Sequence, residues 1–146
     1  MLAVHEANKF AYEKYEYKVG CPPSGPLACL LFCMPTAPAS QPKTVIISHA
    51  IAVLSALCAV AVHDFIPVLD VPKPVVGLVL SILAMKLAKA INPPATAYAA
   101  ALSGSGTTFG AVLTGPGTLG AVVLIVVQQV YFKITDALSG TKAKKA

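Results

Sequence analysis

Residues 44–62 read TVIISHAIAVLSALCAVAV, and the character of this stretch decides the fold. It holds no carboxylate and no lysine, and its one imidazole is His49. A helix rises about 1.5 Å per residue, and about 17–25 apolar residues cross a bilayer. Apolar side chains fall all round this helix rather than along one stripe, as they do when lipid or similar helices surround it. Residues 75–91 and 117–134 have the same character, the last with Gln128 and Gln129 inside it and Lys133 near its edge. The expected fold is an all-α integral membrane protein with three spanning helices.

Composition excludes the main alternatives. Hydrophobic residues make up 56% of the chain and charged residues 12%, about half the roughly 25% of a soluble domain. The charges gather at the ends, in Glu6, Lys9, Glu13, Lys14, Glu16 and Lys18 and again in Lys142, Lys144 and Lys145. The net charge of +5 does not point to nucleic acid, because all eleven basic residues are lysines. Arginine, the residue that reads phosphates and bases bidentately, is absent from the chain. Lysines at the ends of apolar segments instead snorkel to headgroups. No catalytic constellation is present: Asp64, Asp70 and Asp136 read as solvated loop or flank residues, and His63-Asp64 has no nucleophile at a telling spacing. Cys21, Cys29, Cys33 and Cys58 form no CxxC pair and no zinc-type cluster, and read as small apolar packing residues. Enzymatic activity and a metal site are therefore not expected.

Three regions follow. Residues 1–20 form a peripheral segment in which Phe10, Tyr12, Tyr15 and Tyr17 alternate with charges. That pattern suits an interfacial helix at headgroup level, and equally an arm docked on another subunit. The opening residues lack the apolar run of a signal peptide, and their glutamates argue against a transit peptide. Residues 21–138 form the transmembrane domain, and residues 139–146 a basic tail for an anionic surface or a partner.

Two short apolar runs, 27–34 and 95–102, are each entered from a double proline, Pro22-Pro23 and Pro93-Pro94. Proline suits the first helical turn, where its missing N–H would have no partner. The runs are expected as half-helices that dip into the membrane and return, or as surface loops with a hydrophobic turn. Broken backbone at membrane depth is tolerated only where protein buries it or a polar cavity adjoins it, so paired interruptions point to a binding site. If both runs return to the side they left, Lys9, Lys14, Lys18, Lys43, Lys86 and Lys89 share one face. Lys73, Lys133, Lys142, Lys144 and Lys145 then share the other, and charge gives no orientation.

Five residues are candidates for contact with a ligand, pigment or anion. An ionisable group in a spanning helix is a functional candidate, so His49 comes first. A neutral imidazole there ligates a metal such as the magnesium of a chlorophyll, bonds an anion, or simply bonds a backbone carbonyl. Lys86 and Lys89 are three apart, share a helix face, and with Lys43 make a positive mouth or else snorkel. Asn92 stands before Pro93 as a helix N-cap, beside a helix start whose free N–H groups would attract an anion.

The run Leu30-Leu31-Phe32, then Pro38-Ala39-Ser40-Gln41-Pro42-Lys43, then His49 in an apolar helix, resembles the HPP family of membrane proteins. The His-Pro-Pro motif that names the family falls on Asn92-Pro93-Pro94, and the resemblance spans residues 20–138. Three positions depart from the pattern: Asn92 for the naming histidine, Lys43 for an arginine, and Ser48 for a glycine before His49. Family members typically have four spanning helices, and the first is here replaced by the charged segment 1–18. Some members in plastids and cyanobacteria are linked to nitrite transport. Two functions follow. The first is a non-catalytic subunit of a photosynthetic or respiratory membrane assembly, in a thylakoid or inner organelle membrane, with chlorophyll or lipid contacts and other membrane subunits as partners. The alternative is a nitrite-like small-anion channel or carrier acting as an oligomer.

Overall fold

The structure is a computed structural model that describes residues 24–65, 71–104 and 116–143. The expected interfacial segment 1–20 lies outside the described residues. Within them every regular element is helical and no strand occurs. Helix α1 is Ser24–Cys33, and a 3-10 turn at Pro38–Ser40 leads into α2, Pro42–Phe65. Helix α3 is Lys73–Leu87, α4 is Pro93–Gly104 and α5 is Pro116–Ala143. Proline occupies the first or second position of α2, α3, α4 and α5, where its fixed φ favours the helix and its missing N–H costs nothing. Helix α5 continues to Ala143, through the first residues of the expected tail.

Two of these helices are long and apolar enough to cross a membrane, over Pro42–His63 and Thr118–Leu138. The third expected span is shorter than its apolar run. Helix α3 has 15 residues, or about 22 Å of rise against a hydrocarbon core of about 30 Å. A Schellman stop ends it: Lys89 takes a left-handed φ of 53°, Ala90 N donates to Met85 O at 2.9 Å and Lys89 N to Lys86 O at 3.2 Å. The apolar residues beyond Leu87 therefore form a turn.

Helix α4 does not dip and return. It runs antiparallel along α3 from one end of the bundle to the other, packed so closely that a Cβ on Gly77 would lie 2.5 Å from Ser103 Oγ and 3.2 Å from Ala99 O. At the same end a Cβ on Gly104 would meet Pro74 Cγ at 2.9 Å. Small residues allow such approach, and in lipid this packing stands in for the hydrophobic drive that water supplies. One buried cluster joins Ala52, Val53 and Ala56 of α2 to Met85 of α3 and to Ala95, Tyr98, Ala99 and Leu102 of α4. A second joins Leu27 and Leu31 of α1, Val45 of α2, and Ala121, Leu124 and Ile125 of α5. Ala50, also small and on α2, is exposed rather than packed.

Helices α1 and α5 run side by side in the same direction. The Gln128 amide of α5 donates to Leu31 O at 2.7 Å, which satisfies a carbonyl at the open C-terminal end of α1. One turn on, Tyr131 meets Phe32 edge to face at 5.8 Å and Phe132 at 5.4 Å. The outer surface is apolar, with Ile46, Leu54, Val79, Ile82, Val122 and Val126 all exposed. Such a surface suits lipid and not water. Cys29, Cys33 and Cys58 are exposed too, so they do not pack the core as their small apolar character suggested.

Candidate functional site

The motif segments meet at one end of the bundle, and Asn92 makes the junction. Its side chain is fully buried. Asn92 Nδ2 donates to Ala39 O at 3.2 Å, and Asn92 Oδ1 accepts from Ala95 N at 3.4 Å. The residue therefore caps α4, as its place before two prolines implied, and ties that start to the turn before α2. The turn is itself closed by Ser40, whose hydroxyl reaches Ala37 O at 2.7 Å and Pro35 O at 3.0 Å. Gln41 Nε2 adds a bond to Pro35 O at 3.3 Å.

This capping removes the anion site expected from free N–H groups at the α4 start. Pro93 and Pro94 have no N–H. Ala95 N and Thr96 N both donate to Asn92 O, at 3.0 and 3.2 Å, and the cap also reaches Ala95. The first turn has no donor left for a ligand.

Three lysines lie toward this end of the bundle. Lys43 is exposed in the first turn of α2, and Lys86 is exposed in the last turn of α3. Lys89 is exposed beyond the helix end, so it does not share a helix face with Lys86. The tie from Asn92 to Ala39 places all three at the same end. Lys43 stands at the positive end of a helix dipole, where a cation is disfavoured by about 0.3–1 kcal/mol. The helix dipoles largely offset one another, because α2 and α4 begin at this end while α1 and α3 finish there, so the positive potential rests on the three ammonium groups.

His49 lies one to two turns deeper and is 4% exposed. Its Nδ1 contacts Val45 O at 2.8 Å. A carbonyl only accepts, so the proton lies on Nδ1 and Nε2 carries the lone pair of the neutral ring. Ser48 donates to the same carbonyl at 3.0 Å. The ring lies 5.9 Å from Tyr98 at a 35° tilt, inside the bundle. A chlorophyll macrocycle needs an open face above its axial ligand, and this packing leaves none, so the site does not fit that pigment.

Buried hydroxyls line the same interior: Ser55 on α2, Ser81 on α3 and Ser103 on α4. Ser81 and Ser103 turn back to their own helix carbonyls, Leu78 O at 2.8 Å and Ala99 O at 2.8 Å. Gln128 is 3% exposed, and its Oε1 is buried without a hydrogen-bond partner among the described residues. Sequence reasoning did not single out Tyr98, Ser40 or Gln128. A lone tyrosine in an alanine-rich run and an amide in a spanning helix were the available signals. An open apolar groove of about 260 Å³ between α2 and α3, lined by Ile51, Leu54, Ser55, Cys58, Leu80 and Ala84, contains none of the five candidates. Among the described residues no three of His, Cys, Asp and Glu come together.

These features define a helical membrane protein with a cationic end and a few buried polar side chains in an apolar interior. The chain belongs to the HPP family: the family model described as HPP, transmembrane region, matches residues 1–139. That match takes in residues 1–20, which the composition sets apart as peripheral. No curated protein and no solved structure matches the chain.

Proposed function

We propose that the protein passes small anions of the nitrite type across a membrane, as a channel or carrier acting as an oligomer. The observation that carries this reading is the grouping of Lys43, Lys86 and Lys89 at the end where α2 and α4 begin. An anion leaving water needs several donors at once, because one ion pair does not offset its desolvation. Lys43 supports the reading further, since helix stability disfavours a cation at that position. Deeper along α2 and α4, Ser48, His49 and Tyr98 supply polar groups in an otherwise apolar interior. Family membership favours a transporter-like role over a subunit role. It speaks for a membrane location and gives no support to a photosynthetic, plastid or complex-bound setting.

The test is reconstitution of the purified chain in liposomes with nitrite uptake measured against protein-free liposomes. Saturable uptake of nitrite or another small anion, without cation uptake, is the expected result. No anion flux, together with stable co-purification in a larger complex, would replace this reading with the subunit one.

A further inference from the structure

The path of the chain sorts its lysines by side. Helix α2 leaves the Asn92 junction and α3 returns toward it, its last turn packing through Met85 against Ala52, Val53 and Ala56 of α2. Helix α4 leaves again and ends beside Pro74 at the far end. Helix α5 runs parallel to α1, whose C-terminal end leads into the turn at the junction, as the contacts of Gln128 with Leu31 and of Tyr131 with Phe32 show. Lys133 therefore lies at the junction end and not at the opposite one, and Lys142 follows it in the last turn of α5. Among the lysines whose side chains are described, Lys43, Lys86, Lys89 and Lys133 mark one end, and Lys73 marks the other. Because α4 crosses to the far end, Lys133 moves to the side of Lys43, Lys86 and Lys89, against the split expected from returning half-helices; Lys9, Lys14, Lys18, Lys144 and Lys145 lie outside the described residues.

A second observation lies toward the same end, in the last turns of the apolar stretch Thr118–Leu138. Phe32, Tyr131 and Phe132 form an edge-to-face group beside the junction end, with Tyr131 about half exposed. Aromatic rings of this kind collect at the headgroup boundary. Lysines just beyond such a belt reach anionic headgroups, which are enriched in the cytoplasmic leaflet. Lysine-rich flanks within about 15–20 residues of a span are retained on the cytoplasmic side.

We infer that the chain inserts with its junction end toward the cytoplasmic leaflet, the lysines of that end lying among anionic headgroups. The C-terminus of α5 is then cytoplasmic, and Lys73 faces the opposite compartment.

Expression in the inner membrane of a bacterial host tests this. In a background with Cys21, Cys29, Cys33 and Cys58 replaced by serine, single variants Lys89→Cys, Lys133→Cys and Lys73→Cys are exposed to a membrane-impermeant maleimide. Lys89→Cys and Lys133→Cys should label in inverted vesicles and lose labelling in right-side-out vesicles, and Lys73→Cys should do the reverse. Opposite labelling, or labelling of each site from both sides, overturns the inference. Reporter fusions after Ala146 of the native chain decide the matter even if the serine background does not fold. A fluorescent protein should be bright and alkaline phosphatase inactive; an active phosphatase overturns the assignment.

Discussion

Asn92 and Lys89 show how much of the cationic end depends on single side chains. Asn92 performs two tasks with one amide, capping α4 and holding Ala39 O. The cap is legible from Asn-Pro-Pro, whereas the bond to Ala39 spans 53 residues and has no local signal. Asn92→Ala should destabilise the protein by about 2 kcal/mol, from the lost cap and an unpaired buried carbonyl. Asn92→Ser keeps a capping oxygen but does not reach Ala39, so it should lose about half as much. Thermal unfolding in mild detergent measures both; equal losses would show that the tie to Ala39 contributes nothing. Lys89 adopts a left-handed φ of 53°, which costs a residue with a Cβ about 1 kcal/mol. Lys89→Gly should therefore raise the unfolding midpoint, and a lower midpoint would show that its side chain holds the turn. Lysine is no signal for a left-handed stop, so the end of α3 was not legible where it falls.

At the scale of elements, the prolines announced the helix starts and the apolar runs announced the two long helices. Length and packing partners were less legible. The run 75–91 reads as a span because hydropathy continues past Leu87, yet backbone geometry at Lys89 ends the helix. The pairing of α3 with α4 depends on Gly77 facing Ser103, a match of two small residues that no periodicity reveals. Gly77→Ala should cost about 1–3 kcal/mol, as overpacking of a tight interface does. Ser103→Ala in the same chain removes the 2.5 Å contact but leaves Ser103 Cβ at 3.0 Å and Ala99 O at 3.2 Å. It should restore part of the loss and not all. A fully tolerated Gly77→Ala, judged by the same detergent unfolding, would mean that α3 and α4 sit farther apart.

Across the whole molecule, the sequence made the membrane class and the family plain, because composition and motif order survive any arrangement of helices. It did not reveal which lysines gather. Lys43, Lys86 and Lys89 fall toward one end only through the antiparallel return of α3 and the tie between Asn92 and Ala39. The same fold buries His49 against Tyr98 and leaves the three lysines on the surface, so the candidates divide into exposed cations and a buried imidazole. On the proposed function, the lysines attract the anion and the buried polar groups pass it. The most direct measurement is the concentration dependence of nitrite uptake by proteoliposomes carrying the native chain, the variant Lys43→Gln/Lys86→Gln/Lys89→Gln, or Lys73→Gln. Removing the three lysines should raise the half-saturating nitrite concentration by about tenfold, corresponding to about 1.4 kcal/mol, while Lys73→Gln leaves it unchanged. An unchanged half-saturation in the triple variant, or an equal rise with Lys73→Gln, would contradict a cationic mouth at this end.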